Sequence, residues 1–345
     1  MTTWTNVERL PSRDAVLLST ARRNRVTQVA SPYADGRFVF TILDDTDDAT
    51  VENLEPIYRL LTELGMRTTK TVWPLDCPPE LQGPFFAAQT LQDPEYLTFV
   101  KRLVDAGFEL AFHGATMGSS SREQTVRGIE FLTSEFGQVP KIHCNHGQNR
   151  ENLYWGLKRY RSILGMLLRG PVALSRKKAP FEGEDPGSPF FWGDQCQVHF
   201  RFVRGFTFKQ LDILKIPPGR PYHDRSTPWV NYWFTTSDAP DVKAFKALVT
   251  PAAIDRLVSS GGVCIMSTHL GKGFAHDGKV DPTVGSMLTY IARLCGHFRP
   301  VSEILERLLP EPSNQVLPRW TRLRLESMHI LHRVVGRTLR TQSEP

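Results

Sequence analysis

One stretch of sequence decides the fold: Phe38-Val39-Phe40-Thr41-Ile42-Leu43-Asp44-Asp45. A short apolar run that is rich in β-branched and aromatic residues is typical of a buried strand. The two aspartates at its carboxyl end are costly to bury unless they are paired, bind a metal ion or take part in catalysis. The stretch therefore predicts a buried strand that carries two carboxylates at its end.

Two other predicted strands end in a similar way. Phe108 to Phe112 is followed by His113, and Val263 to Thr268 is followed by His269. Active sites of α/β proteins are built from ionisable residues at the carboxyl ends of parallel strands. The three strand ends together predict a site of this kind.

The chain alternates between strand-like and helix-like segments. Signals for helix boundaries support the pattern, such as Asp93 and Pro94 at one helix start and Gly65 and Gly137 at two helix ends. This rhythm implies a parallel sheet, either open or closed into a barrel. The predicted strands cover 37–43, 68–73, 108–112, 139–144 and 263–268, and the predicted helices cover 51–64, 94–106, 121–136, 150–166, 240–259 and 282–295, with a last short strand and helix up to 309.

The rhythm is interrupted between the fourth and fifth of these strands. Residues 170–190 are rich in proline, glycine and charge, and residues 190–235 are unusually aromatic. No strand is predicted in either part.

Composition argues against several classes of protein. The chain has 345 residues and a formal net charge of +6, much of which comes from arginines after residue 318. Its five cysteines form no CxxC pair, which indicates reduced thiols. The N-terminus does not have the layout of a signal peptide. No apolar run reaches the ~18 residues that a membrane span needs. We therefore expect a cytoplasmic protein. A glycine-rich phosphate loop and a GxSxG motif are both absent, so P-loop and serine-hydrolase functions find no support.

The ionisable residues near the first and third strands allow more than one interpretation. Asp44 and Asp45 suit a division of roles in which one binds a metal ion and the other acts as a base. The acidic run continues with Asp47 and Asp48, which also suits the N-cap of the following helix. His113 at its strand end is interpreted as a metal ligand, the alternative being a core histidine.

Later histidines are equally open to two interpretations. His143 and His146 flank Asn145 after the fourth strand, with a spacing that suits a metal site or a surface loop. His269 suits a general acid at the mouth of a loop, or a structural histidine.

The aromatic segment contains two motifs in which rings neighbour a carboxylate, Trp192-Gly193-Asp194 and Tyr222-His223-Asp224. Such pairs suit carbohydrate, which stacks on rings and hydrogen-bonds to carboxylates, and they also suit plain core packing. The candidate substrate-binding residues are Asn145, Trp192, Asp194, His223 and Asp224.

Taken in order, these motifs resemble those of the polysaccharide deacetylase family (the NodB homology domain), a part of the superfamily of deacetylase and glycoside hydrolase barrels. The family motif Thr-Phe-Asp-Asp is similar to Thr41-Ile42-Leu43-Asp44-Asp45, its metal-binding histidine to His113, and its late histidine to His269. The resemblance implies an α/β fold, namely a distorted parallel (β/α)7-type barrel. This domain is expected over 37–310, between an N-terminal extension at 1–36 and a tail at 311–345.

The same resemblance implies a metal-dependent hydrolase that removes an N- or O-acetyl group from a carbohydrate, in bacterial surface-polysaccharide metabolism. It assigns Asp44 as the general base and His269 as the general acid. It assigns Asp45 and His113 as ligands of a divalent metal ion, expected to be Zn²⁺.

Two departures from the family pattern set this chain apart. The family places a second histidine four residues after the first, and here that position is Met117, whose thioether is a poor ligand for zinc-like ions. The family motif Arg-Pro-Pro-Tyr is absent, and Asn145-His146-Gly147 stands about where it belongs. We therefore expect His146 as the third ligand, with His143 as the second choice.

Two other functions stay open. A glycoside hydrolase on the same barrel would use a carboxylate nucleophile, for which Asp44, Asp194 and Asp224 are candidates. A carbohydrate-binding protein with a decayed site would explain the methionine at 117. A carbohydrate is the expected partner in each case, and no nucleic-acid partner is expected.

The tail is predicted to form a basic amphipathic helix over 318–340. Its apolar residues are Trp320, Leu323, Leu331, Val334 and Val335, and its arginines are Arg319, Arg322, Arg324, Arg333, Arg337 and Arg340. Such a helix lies on an anionic membrane surface, or it docks on the barrel or on another subunit. The first arrangement would place the protein at the inner face of the membrane, where lipid-linked glycan precursors would be its substrates.

Overall fold

The computed structural model describes residues 31–79, 88–163, 165, 167, 181–309, 311–312 and 315–341. Most of the predicted N-terminal extension lies outside these residues, and so does part of the break at 170–190.

Seven parallel strands form a closed barrel in chain order. The first and last strands pair from Val39 with Val263 to Asp44 with Thr268, and this pairing closes the barrel. The predicted α/β fold, a (β/α)7-type barrel, is therefore confirmed. The strands are β1 (Val39–Asp44), β2 (Thr69–Val72), β3 (Glu109–Phe112), β4 (Ile142–Cys144), β5 (Phe202–Phe208), β6 (Tyr232–Asp238) and β7 (Val263–Thr268).

Amphipathic helices pack their apolar faces into the core. In the first helix, Leu54, Ile57 and Leu61 recur at helical spacing and are fully buried. This helix begins with a capping box between Thr50 and Asn53, so Thr50 is its N-cap and the preceding aspartates are free for other contacts. The helices are α1 (Val51–Glu63), α2 (Pro94–Asp105), α3 (Arg122–Phe136), α4 (Gly193–His199), α5 (Val242–Leu248), α6 (Pro251–Ser260), α7 (Pro282–Arg293), α8 (Val301–Leu308) and α9 (Arg319–Thr341).

The aromatic segment contains two barrel strands, β5 and β6, that the sequence pattern does not predict. Strand β5 reads Phe-Val-Arg-Gly-Phe-Thr-Phe and is buried along most of its length, so polar and apolar residues do not alternate along it. Arg204 and Gly205 also interrupt it as an apolar run. A continuous apolar run or a regular alternation is the signal that sequence reading needs, and β5 has neither.

Two helix predictions are wrong in part. Within the helix predicted over 150–166, residues 150–162 form turns and a 3₁₀ helix at Gly156–Arg159, because the Asn152 side chain bonds to the backbone of His146 and holds the chain in a loop. The helix predicted over 240–259 is split into α5 and α6. Pro251 has no N–H to continue a helix, and Thr250 caps a new one.

The tail forms helix α9, as predicted. Leu325, Glu326 and His329 on one face of α9 are at most 1% exposed, because this face docks on the barrel near β5. Among the described residues, no helix combines the length and the apolar character that crossing a membrane requires.

A buried ion pair joins β1 to β2. Asp44 and Lys70 are paired in register, and the Lys70 ammonium lies 3.1 Å from the Asp44 carboxylate with both side chains fully buried. The Tyr58 hydroxyl and the Leu270 amide donate to the same carboxylate over 2.9 and 2.8 Å. The charge of Asp44 is thus compensated from α1, β2 and the loop after β7.

Breaking this pair should destabilise the fold strongly. Replacing Lys70 by Met leaves the Asp44 carboxylate buried without its cation, so the free energy of unfolding should fall by about 3–5 kcal/mol. Urea unfolding monitored by circular dichroism measures this change. The matched control is Lys101→Met, which breaks the exposed pair between Lys101 and Glu135 and should cost less than about 1 kcal/mol. Equal losses in the two variants would contradict the argument.

Candidate metal centre

Ionisable side chains meet beyond the carboxyl ends of four strands. Asp45 and Asp47 follow β1, His113 follows β3, His146 comes two residues after β4, and His269 follows β7. Because all seven strands are parallel, these residues lie at the same end of the barrel. Gly114, with φ at +106°, turns the chain directly after His113 in a conformation that other residues rarely adopt.

Asp47 is the centre of the cluster. Its Oδ1 lies 3.4 Å from Nε2 of His113 and 3.4 Å from Nε2 of His146, and its Oδ2 lies 3.2 Å from Nε2 of His269. Lys272 approaches the same carboxylate to 3.5 Å. Burial raises the pKa of Asp47, but its contacts with His146 and His269 lower this pKa more, so the carboxyl is ionised.

The tautomer of His113 is set by a hydrogen bond. Its Nδ1 lies 3.0 Å from the Cys144 carbonyl, which can only accept, so Nδ1 carries the proton. Burial lowers the pKa of His113, and Asp45 and Asp47 offset this only in part, so the ring is neutral. The Nε2 atom then presents a lone pair to Asp47, in the arrangement by which proteins orient histidine ligands of metals.

These donors fit a divalent cation. Asp47 Oδ1 is buried and has no hydrogen-bond partner among the described residues, because the nitrogen of His113 that faces it carries a lone pair instead of a proton. The ligand atoms of Asp47, His113 and His146 all lie within 4.8 Å of one another. The separations of 3.4 Å match those between two ligands of a tetrahedral zinc-like ion, which are about 3.3 Å. A cation among the three would satisfy acceptors that otherwise face each other.

Asp45, the expected metal ligand, makes a different set of contacts. Both its oxygens accept from Nη1 of Arg204, over 2.8 and 2.6 Å, and the Ser267 hydroxyl lies 3.4 Å away. Burial raises the pKa of Asp45, but the charge of Arg204 lowers it further, so the carboxyl is ionised. The nearest histidine nitrogen, Nδ1 of His113, is 4.0 Å away and is turned to Cys144. The carboxylate that faces His113 and His146 is Asp47.

Asp44, the expected base, is enclosed in the ion pair with Lys70. It is fully buried, and Tyr58, Lys70 and the Leu270 amide surround its oxygens. Asp45, at 4% exposure, lies one residue nearer to the mouth of the barrel. Asp45 is therefore slightly less enclosed than Asp44.

His269 is oriented like His113. Its Nδ1 donates to the carbonyl of Pro240 over 2.6 Å, and its Nε2 faces Asp47. Burial lowers the pKa of His269, but the contact with Asp47 and the charge of Asp45 raise it more. The protonated ring is thus favoured, with a proton on the nitrogen that points into the site.

His143, the second choice for a ligand, points elsewhere. Its ring nitrogens face the Phe112 carbonyl at 3.2 Å and the Asn145 side-chain oxygen at 3.1 Å. The Asn145 amide also exchanges hydrogen bonds with the backbone of Leu153. Both side chains are buried and hold the loop after β4, which carries His146.

The other candidate substrate-binding residues are engaged in the core or in ion pairs. Trp192 is fully buried and donates to the Glu151 carbonyl, while Asp194 pairs with Arg122 through two bonds of 2.6 Å. Asp224 pairs with Arg322, and Nδ1 of His223 donates to the Asn231 carbonyl. No contact that the structure describes joins these four residues to Asp47 and its histidines.

Met117 lies in an apolar wall beside the cluster. Together with Trp73 and Cys77 it forms a small buried group, and the Trp73 ring packs edge-on against His146 at 5.1 Å between centroids. Trp73 also contacts His113 at 5.8 Å. The position where the family has a histidine therefore contributes packing that excludes water from one side of the cluster.

Sequence reading missed two residues of this site. The sequence pattern explains Asp47 as part of the N-cap of the following helix. A carboxylate two residues after an aspartate at a strand end is, however, also a signal for a metal or catalytic site. Arg204 lies within the unpredicted strand β5, and an arginine between buried aromatic residues is the signal that could have found it.

Comparison with known proteins gives matches of fold. No family model matches the chain, and no curated protein matches it. Among solved structures, Puue allantoinase is 13% identical with a TM-score of 0.45, covering 81% of this chain and 94% of that chain. A probable polysaccharide deacetylase from Pseudomonas aeruginosa PAO1 is 13% identical with a TM-score of 0.44, covering 80% and 93%.

A third match is BA3943 from Bacillus anthracis, a CE4 family pseudoenzyme, which is 11% identical with a TM-score of 0.37, covering 79% of this chain and 66% of that chain. The solved structures thus include polysaccharide deacetylases, the family that the sequence motifs resemble. The likeness is one of fold, and identities this low carry no activity from one chain to another.

Metal content should depend on the Asp47 cluster. After zinc loading and dialysis, elemental mass spectrometry should find about one ion per wild-type chain. The Asp47→Asn, His113→Ala and His146→Ala variants should lose most of it, because each removes one ligand. Met117→Leu and His143→Gln should keep it, since neither side chain points its donor at the cluster. Zinc bound equally by Asp47→Asn would contradict this geometry.

Acid should weaken the fold through buried His143. Burial lowers the pKa of His143 to about 3, so in acid the unfolded chain takes up a proton that the folded chain refuses. The free energy of unfolding should therefore fall as the pH drops, with His143 contributing about 2 kcal/mol between about pH 7 and about pH 5. The change is measured by urea unfolding at the two pH values.

Two variants test this effect, one at His143 and one at another histidine as the control. In His143→Gln the free energy of unfolding should depend less on pH than in the wild type, whatever its stability at neutral pH. His276→Gln changes an exposed histidine of the short hairpin after β7 and should leave the pH dependence as it is. If the free energy of unfolding of His143→Gln changed with pH as much as that of the wild type, His143 would take up its proton in the folded chain as well.

Proposed function

We propose that this protein is a divalent-metal-dependent hydrolase that removes an acetyl group from a carbohydrate. The observation that carries the proposal is the cluster of Asp47, His113 and His146, whose potential ligand atoms converge at the carboxyl ends of β1, β3 and β4. Two aspartates and three histidines lie at this end of the parallel barrel, and such a set suits metal-assisted hydrolysis. The motifs that resemble the polysaccharide deacetylases suggest the acetyl group and the sugar.

The proposed ligands are Asp47, His113 and His146, and the ion is proposed to be Zn²⁺, because a nitrogen-rich set with one carboxylate suits it. When bound, the ion supplies Lewis-acid polarisation of the acetyl carbonyl and of the attacking water. Trp73 and Met117 keep bulk water from one side of the ligands.

Asp45 is the proposed general base. Arg204 holds its carboxylate in one orientation and keeps it ionised, so it is ready to take a proton from water. This revises the role that the motif resemblance gives to Asp44, whose oxygens are enclosed by Lys70 and Tyr58.

His269 is the proposed general acid. The Pro240 carbonyl fixes the ring, and the nearby carboxylates favour the protonated form, so Nε2 holds a proton for the leaving amine or alkoxide. We further propose that the substrate belongs to bacterial surface-polysaccharide metabolism and that the protein acts in the cytoplasm.

A glycoside hydrolase on the same barrel is the alternative that shares most of these residues. Its candidate nucleophiles Asp44, Asp194 and Asp224 are each held by a cation, namely Lys70, Arg122 and Arg322. No described contact joins Asp194 or Asp224 to the Asp47 cluster, and this favours the deacetylase. Release of acetate rather than of reducing sugar distinguishes the two, and a binding protein would release neither.

Acetate release tests the assigned roles. The zinc-loaded protein is incubated with acetylated xylan and with N-acetylglucosamine oligomers, and acetate is measured by a coupled enzyme assay. Asp45→Asn and His269→Gln should lower kcat by roughly 10²–10⁴-fold while keeping zinc, because each removes a proton-transfer group. Asp194→Asn, which changes an ion pair that does not contact the cluster, should keep the wild-type rate.

Two outcomes would overturn the proposal. Full activity of Asp45→Asn would exclude it as the base. Wild-type acetate release after removal of the metal by a chelator would exclude metal-dependent chemistry.

A further inference from the structure

Helix α9 is held on the barrel by polar contacts. The Glu326 carboxylate accepts from the Arg161 amide over 2.7 Å and from the Ser162 amide over 3.0 Å. The Tyr160 hydroxyl and Nδ1 of His329 lie 2.7 Å apart. These buried contacts fix the rotation of the helix about its axis, so the face that it turns to solvent is also fixed.

The opposite face of α9 exposes large apolar side chains. Trp320 is 78% exposed, Leu331 is 64% exposed and Met328 is 39% exposed, whereas Leu325 on the docked face is fully buried. With 3.6 residues per turn, positions 320 and 331 lie three turns apart on one stripe. The helix thus buries Leu325 together with polar groups and still leaves a stripe of large apolar side chains uncovered, which marks an interaction surface. We call Trp320, Met328 and Leu331 the apolar patch.

The charge beside the apolar patch has one sign. Arg319, Arg324 and Arg333 on α9 are exposed. The acidic residue between 315 and 341 is Glu326, and its carboxylate is buried in the contacts with Arg161 and Ser162. The helix therefore offers apolar side chains and guanidinium groups to solvent without a carboxylate to offset them.

We propose that the apolar patch docks α9 on the surface of an anionic phospholipid bilayer. A helix that lies in the interface inserts its apolar face among the acyl chains and pairs its arginines with lipid phosphates. Trp320 has the amphipathic ring that prefers this interface. A second copy of this chain is the less suitable occupant, because pairing two such faces would bring arginines of like charge together.

The test uses the full-length zinc-loaded protein and vesicles of phosphatidylcholine alone or mixed with phosphatidylglycerol. Co-sedimentation should show binding to the mixed vesicles and little binding to the neutral ones, and high salt should weaken it. Trp320→Ser combined with Leu331→Ser should abolish binding, and Arg324→Gln should weaken it roughly fivefold.

Control variants separate docking from misfolding and from the proposed function. Val198→Ser removes an apolar side chain on α4 that is 76% exposed, and it should bind vesicles as the wild type does. Circular dichroism and zinc content should be unchanged in every variant, and acetate release from a soluble substrate should also be unchanged.

Equal binding of the wild type and of the Trp320→Ser, Leu331→Ser variant would overturn the proposal. So would a wild-type dimer, seen by light scattering, that the same variant converts to a monomer while vesicles bind neither form. The outcome on vesicles is independent of whether the barrel proves to be a deacetylase.

Discussion

Compensation of buried negative charge at the carboxyl end of β1 organises this barrel. Asp44, Asp45 and Asp47 lie within four consecutive positions, and the first two are buried while Asp47 is partly buried. Each needs a partner because an isolated buried carboxylate costs several kcal/mol or more. The partners come from different strands: Lys70 from β2 and Arg204 from β5. The strand ends must therefore converge before the carboxylates can be buried.

Asp47 differs from the other two because histidines face it instead of a lysine or an arginine. His113 is neutral in the fold and holds its proton on the far nitrogen, so it offers Asp47 no hydrogen bond. The compensating charge then comes from the other groups around Asp47, among them His269 and Lys272, or from a bound cation. This arrangement leaves Asp47 facing the histidines, whereas Lys70 and Arg204 hold Asp44 and Asp45, and so the same acidic run gives both buried ion pairs and a candidate metal site.

The sequence pattern predicted a parallel sheet with five of the seven barrel strands because strand ends and helix caps are local signals, and closure into a barrel was implied by the resemblance to the deacetylase family. The runs that lead to Asp44, His113 and His269 are apolar and short, and their positions follow from composition alone. What could not be predicted was which aspartate faces the histidines. The alternation of side chains holds only inside a strand, and the chain leaves β1 at Asp44, so the directions of Asp45 and Asp47 depend on loop contacts. Arg204, a partner 159 positions away from Asp45, is likewise set by topology.

The groups that meet at the end of β1 are far apart in the sequence, and this affects folding while the chain is being synthesised. Arg204 follows Asp45 by 159 residues, and the Leu270 amide follows Asp44 by 226 residues. A ribosome that emits the chain from its N-terminus releases the carboxylates long before these partners exist. Contacts this distant in sequence form late and slow the folding of a domain. The acidic end of β1 must therefore stay hydrated until β7 has emerged, so the strand synthesised first among the seven is among the last to complete its contacts.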